Sequence, residues 1–343
     1  MARKIMVALA ALLLTGLGSA SSANATPGPA YHQISSIPGG DGGWDFSAFD
    51  ADAGQLYIAR SSAVSVVDVA HGTITDALAP AKKGHQVLVL DQGRTVFETD
   101  GATNLARFID AHSGAVEAQL PTGTKPDAAL LDPTTGLIAV MNAGDGTISL
   151  IDPVKRTSAG QITVGGGLEF AVADGKGGIF VNIEDGNAIA HVDLTMRKVT
   201  GRIALTGCEG PTGLAIVDNG THLITACANK VALVVNAVTG AVLTALPIGE
   251  DPDAVLVDEP RGLAFVPCGG SGTLVEISIA HPDHIAVVGT ITTQTSARSG
   301  AIDPRNGRIY LPTARFNLPE PGKKHGSMIP GSFAVLVFAP GTA

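Results

Sequence analysis

KPDAALLDPTTGLIAVMNAGDGTISLIDPVKRTSAGQITVG, residues 125–165, decides how the rest of the chain is read. An apolar run leads into a Pro-Thr-Thr-Gly turn. LIAVMN, a Gly-Asp-Gly turn, TISLID, a loop and a last segment ending at Val164-Gly165 follow. Four short β-type segments punctuated by turn residues predict one antiparallel four-stranded sheet. Such a sheet, with no helix to cover it, cannot bury both of its faces. It needs copies of itself.

The chain supplies them. The end of the third segment recurs as SVVDV with Asp68, RFIDA with Asp110, SLIDP with Asp152, AHVDL with Asp193, VVNA with Asn236 and EISI with Ser278, at intervals of 42, 42, 41, 43 and 42 residues. A seventh copy, VLVFA, ends at Phe338 after a longer gap. Four strands in each period of about 40–45 residues are the signature of a β-propeller. The blades fall at roughly 43–84, 85–124, 125–166, 167–209, 210–250, 251–296 and 297–339. Tyr31 to Pro38 resembles the outermost strand of other repeats, while the last repeat stops after its third strand, SFAVLVFA. The N-terminal strand is therefore expected to complete blade seven and close the ring, which removes exposed sheet edges. The prediction is an all-β, seven-bladed propeller in one domain, residues 26–343.

Composition agrees. The 343 residues are 45% hydrophobic but only 4% aromatic, with 43 glycines. Val, Ile, Leu, Thr and Ala strands joined by Gly-rich turns fit an all-β chain. Residues 1–25 read as a signal peptide: Arg3 and Lys4 form a basic start, Ile5 to Leu14 an apolar core, and Ala23-Asn24-Ala25 a cleavage site. That apolar run is too short to span a bilayer. The mature protein is expected in the periplasm or secreted, as a monomer with no membrane span. Without Arg3 and Lys4, 20 basic residues face 31 acidic ones, a net charge near −11. Repulsion from phosphates then argues against nucleic-acid partners.

Three cysteines in an exported chain suggest one disulfide and one spare thiol. Cys208 ends the fourth repeat and Cys227 the second strand of the fifth, two places at one sheet edge, so Cys208–Cys227 is the expected pair. Cys268 is expected to be free. Asp132-Pro-Thr-Thr-Gly136, Asp50-Ala-Asp-Ala-Gly54 and Asp303-Pro-Arg-Asn-Gly307 occupy one place in their repeats, and their aspartates read as turn caps. Asn219-Gly220 reads as a hairpin turn rather than a glycosylation acceptor.

The repeat resembles that of the YncE-like, YVTN-repeat β-propeller proteins of bacteria across essentially the whole mature sequence. The second strands LYIAR 56–60, IAVMN 138–142 and IYLPT 309–313 carry the resemblance, with TISLID 147–152 and TLVEIS 273–278 after them. The junctions LPIGEDPDAV 246–255 and TGCEGPTGLAI 206–216 carry it too, while ETDG at 98–101 and CANKVALVV at 227–235 depart from the pattern. The resemblance implies an exported seven-bladed propeller. Similar repeats occur in lactonase-type enzymes.

Chemistry is sparse by comparison. The chain has no G-x-S-x-G, H-E-x-x-H or G-x-x-x-x-G-K-[ST]. Aligning the repeats puts one residue per blade at the start of the innermost strand: Asp45, His85, Asp127, Glu169, Thr212, Asp253 and Arg298, with Gln86 competing for the place of His85. Innermost strands surround the central channel, so these side chains are expected to meet at one mouth of it. Such a ring offers ligands to a divalent cation such as Ca²⁺, or to a polar ligand. The competing reading has each acid capping its own turn. On the same mouth, Arg315 to Gly331 runs about 15 residues longer than its counterparts, as a lid or partner-contact loop would. The functional expectation is a non-enzymatic binding or scaffold protein that presents this acidic mouth to a small ligand or a cell-envelope protein. The alternative is a metal-dependent lactonase or lyase, with Asp127, Glu169 and Asp253 on the ion and His85 as general base.

Overall fold

The computed structural model of the chain describes residues 31–319 and 326–341. The signal peptide read at 1–25 and the tip of the blade-seven loop, 320–325, lie outside the described residues. Within them the chain forms seven four-stranded antiparallel sheets and only two short 3₁₀ turns. Among the described residues no helix is long and apolar enough to cross a membrane.

Blade three shows the pattern, with strands Pro126–Leu131, Ile138–Asn142, Thr147–Asp152 and Thr157–Thr163. Its second strand is buried along its whole length, because blades pack face to face and cover it on both sides. That is why second strands read as unbroken apolar runs instead of alternating ones. The outermost strands are covered on one side at most, and Lys198–Ala204 alternates exposed and half-buried positions. Seven apolar clusters result, one per seam. Met141, Ile148 and Leu150 of blade three, for example, meet Ile179, Val181 and Ile183 of blade four.

The innermost strands Trp44–Asp50, Gly84–Leu90, Pro126–Leu131, Leu168–Ala173, Pro211–Val217, Leu256–Asp258 and Ala301–Asp303 touch in that order, and the last touches the first. The ring is closed as expected. Tyr31–Pro38 pairs antiparallel with Ala334–Pro340, from Tyr31 opposite Pro340 to Pro38 opposite Ala334, and so forms the fourth strand of blade seven.

The turn aspartates act as caps. Asp132 accepts hydrogen bonds from the Thr135 backbone N–H and hydroxyl at 2.8 and 2.6 Å, and Gly136 closes the turn at φ 70°, where a side chain would be strained. Asp218 and Asn219 both have positive φ within a tight turn before Gly220. A disulfide joins Cys208 to Cys227 with a Cα–Cα distance of 5.5 Å, tying the end of blade four to blade five, and Cys268 is free and buried.

The departure at ETDG has a structural counterpart. Glu98 and Arg107 face each other across blade two, both buried, with Nε 2.8 Å from Oε2. The matching cross-strand pairs are Val140 with Ser149 in blade three and Val266 with Val275 in blade six. Glu98 Oε1 and Arg107 Nη2 are buried with no partner, and Arg107 also lines an open cleft of about 440 Å³ against blade one.

Candidate functional site

The register of the inner strands aims the ring. In blade one Trp44 pairs with Arg60, but the next pair is Ser47 with Ile58, so three steps on the inner strand match two on its neighbour. The same one-residue bulge follows Gly84, Pro126, Leu168 and Pro211. A bulge bends the strand and re-aims its side chains. The residue just after each anchor is Asp45, His85, Asp127, Glu169 and Thr212. Asp253 and Arg298 hold the corresponding places in blades six and seven. The register thus gives the blade-two place to His85, while the amide of Gln86 donates to the Val87 carbonyl.

Most of these side chains join in one chain of charges around the mouth. Arg298 Nε lies 2.7 Å from Asp253 Oδ2, and its Nη2 lies 3.6 Å from Asp45 Oδ1. Asp45 Oδ2 is 2.7 Å from His85 Nδ1, which is also 3.2 Å from Asp127 Oδ1. Lys125 Nζ ends the series 3.4 Å from Asp127 Oδ2. Unlike charges therefore alternate from blade six through blade three. The mouth expected to be acidic is largely neutralised by its own cations, one of which, Lys125, the ring alignment does not include. Thr212 is occupied elsewhere, donating to the Pro252 carbonyl at 2.9 Å. Glu169 makes no ion pair among the described residues.

The electrostatics follow from this layout. Burial opposes charge on His85, but the hydrogen bond to Asp45 and the negative charges of Asp127 and Asp45 outweigh it and hold its pKa above the ordinary value. Burial raises Asp127 despite His85, and raises Asp253 to about 7 despite Arg298. Glu169 goes furthest, to about 9, through burial and then the charges of Asp127, Glu184 and Asp253. At neutral pH it is an uncharged acid, a hydrogen-bond donor set among carboxylates.

Two aromatic rings meet across the axis beneath the ring. Phe46 and Phe170 follow Asp45 and Glu169, and their rings meet with centroids 5.1 Å apart. Blades one and four are not neighbours, so side chains of their innermost strands can touch only across the central axis. The mouth is a cup with an aromatic floor. The signal was present in the repeat: the same offset holds Gln86, Ala128, Gly213, Ala254 and Ser299 in the other blades, all smaller than phenylalanine.

The metal-binding trio of the enzyme reading is not the one the fold assembles. Asp45, His85 and Asp127 bring donor atoms within 4.8 Å of one another. Asp253 is engaged by Arg298, and Glu169 stands outside the cluster. Arg315 is exposed at the root of the blade-seven insertion and makes no ion pair or hydrogen bond to the ring side chains among the described residues. Its N–H donates to Ser332 Oγ at 3.0 Å, and its carbonyl accepts from Ile329 at 2.8 Å. The root is well anchored, because Asp41 accepts from the N–H groups of Gly331 and Ser332 at 2.6 and 3.2 Å. Phe316 is tilted against Trp44, next to Asp45, with ring centroids 6.4 Å apart, so the insertion rises at the rim of the cup.

Known structures share the architecture. A chain of a mitotic checkpoint complex superposes with a TM-score of 0.72 at 13% identity, covering 99% of both chains. Hydrazine synthase of Kuenenia stuttgartiensis gives 0.67 at 12% identity, over 87% of this chain and 96% of that one. Identities this low show the fold alone. No family model matches the sequence, and no curated protein matches it either. The chain is a seven-bladed β-propeller.

Proposed function

We propose that this propeller is a binding or scaffold protein of the YncE-like, YVTN-repeat type, exported to the periplasm or beyond, which holds a small polar ligand in the channel cup. One observation carries the reading: Phe46 and Phe170 meet across the channel axis as an aromatic floor, beneath a mouth where unlike charged groups and an acid of raised pKa converge. Small-molecule sites are concave, with an apolar base and a few placed polar groups. The second strands and junctions of the repeat support the YncE-like assignment, and the leader-like residues 1–25 support export. The insertion rooted beside the rim is suited to touch either the ligand or an envelope partner. Binding is favoured over lactone or lyase chemistry because two of the three ligands that chemistry was expected to use are not gathered with the third: Asp253 is held by Arg298 at 2.7 Å, and Glu169 stands outside the cluster of donor atoms.

A thermal-shift screen of the purified chain against amino acids, amines, sugars and small carboxylic acids tests this. Ligand binding raises the melting temperature by mass action. A stabilising compound whose effect disappears in Arg298→Gln, which breaks the ring and is shown to be folded by its own melting curve, supports the cup. A full panel without any shift, or a shift indifferent to Arg298→Gln, removes it.

A further inference from the structure

The hydrogen bonding of His85 is mismatched to an imidazolium. A protonated ring has two N–H groups and needs one acceptor at each. Here Nδ1 faces two carboxylate oxygens, Asp45 Oδ2 at 2.7 Å and Asp127 Oδ1 at 3.2 Å, while Nε2 is buried with no partner. One nitrogen is oversupplied and the other has nothing. The residue is more than nine-tenths buried, at 8% exposure, and an ion in place of the Nδ1 proton would answer the excess of acceptors at Nδ1 while leaving Nε2 as it is.

The placement is built into the fold. A Cβ on Gly101 would lie 2.7 Å from His85 Cδ2 and 2.8 Å from Nε2, so the imidazole stands where only glycine leaves room. The outer carboxylate oxygens are occupied, Asp45 Oδ1 by Arg298 at 3.6 Å and Asp127 Oδ2 by Lys125 at 3.4 Å. Those contacts turn the inner oxygens toward Nδ1, as partners of metal ligands commonly do. Donors sharing an ion with bonds of about 2.0–2.2 Å lie about 2.8–3.6 Å apart, so the 3.2 Å separation fits such a shell and the 2.7 Å one must open slightly.

We propose that Asp45, His85 and Asp127 form a binding site for a first-row divalent transition ion such as Zn²⁺, held by His85 Nδ1 and one oxygen of each carboxylate. A mixed set of one imidazole nitrogen and two carboxylates suits such ions, whereas Ca²⁺ and Mg²⁺ favour all-oxygen shells. The Nδ1 lone pair goes to the ion, and a proton held on Nδ1 is released to solvent. The three donors come from three consecutive blades. The proposal rests on the cup being a binding site and names the ion that equips it.

The test is a Co²⁺ titration of the chelator-treated full chain, followed by visible absorption, with Zn²⁺ competition and a parallel Ca²⁺ titration. The expected result is one Co²⁺ per chain with a ligand-field band, displaced by Zn²⁺ and not by Ca²⁺. His85→Gln and Asp45→Asn, which remove direct ligands, should each weaken binding by at least the roughly 100-fold that loss of an outer-shell partner costs, and His191→Gln, on the outer part of blade four, should not. Melting curves identify any variant that fails to fold; if His85→Gln does, Asp45→Asn decides. Absence of the band, or a band retained in the folded variant, overturns the proposal. A small organic ligand found in the thermal screen would in that case still leave the cup standing as a binding site.

Discussion

Replacing Glu169 by glutamine should stabilise the protein, and the gain should grow with pH. The carboxyl pKa is raised from 4.5 to about 9, first by burial and then by Asp127, Glu184 and Asp253. A raised carboxyl pKa means that the folded chain keeps a proton the unfolded chain releases. The contribution of Glu169 to stability is therefore greatest below pH 4.5 and is lost as pH climbs toward 9. One pH unit in that window is worth about 1.4 kcal/mol, so over the 2.5 units from pH 4.5 to pH 7 the cost reaches at most about 3.5 kcal/mol. Glutamine keeps the shape of the protonated acid and has no proton to lose. Urea unfolding of both proteins, followed by circular dichroism from about pH 4 to pH 8, should give superimposable curves at the acidic end. The curves should separate progressively above it, with Glu169→Gln the more stable. A constant gap, or a variant weaker than the parent at pH 7, would show that Glu169 is ionised and paired in the folded state, and the account of the cup's electrostatics would fail.

Three further outcomes follow from the packing. Replacing Cys208 and Cys227 together by alanine should cost about 3 kcal/mol in reversible unfolding, since the bridge closes a loop of 19 residues; equal stability of oxidised and reduced protein would contradict this. Phe46→Ala should cost about 3–5 kcal/mol and open the floor, with the added void visible as a larger volume decrease on pressure unfolding. Arg107→Leu alone should cost about 3–5 kcal/mol by stranding buried Glu98, whereas Arg107→Leu with Glu98→Met should return close to the parent. A double variant as weak as the single one would refute the buried-pair argument.

Architecture was legible because it is written locally and repeatedly. Asp68, Asp110, Asp152 and Asp193 mark the same strand end in successive blades, and short apolar runs between turn residues report burial on both faces. The half-repeat at Tyr31 predicted its own partner, since an edge strand lacking a sheet and a sheet lacking an edge strand answer one another. The ring residues were legible as a set, but their pairing was not. Whether Asp45 reaches His85 or its own turn depends on a one-residue bulge that leaves no compositional trace. Lys125 escaped because it lies two residues before the aligned position and reaches Asp127 only through its long side chain. The meeting of Phe46 with Phe170 joins residues 124 positions apart on blades that are not adjacent, and no periodicity describes a contact across an axis.

The pairing of Tyr31–Pro38 with Ala334–Pro340 has a consequence for the order of events in making the protein. A ribosome delivers the first of these strands about 300 residues before the second. During all that time six sheets can assemble while one strand waits with its backbone groups unpaired. A nascent or truncated chain is thus marked by a loose strand at one end and a raw sheet edge at the other, both open to chaperones and proteases. Only the last residues of the sheet, once delivered, hide both at once, so the seam that joins the two ends also tells a finished molecule from an unfinished one.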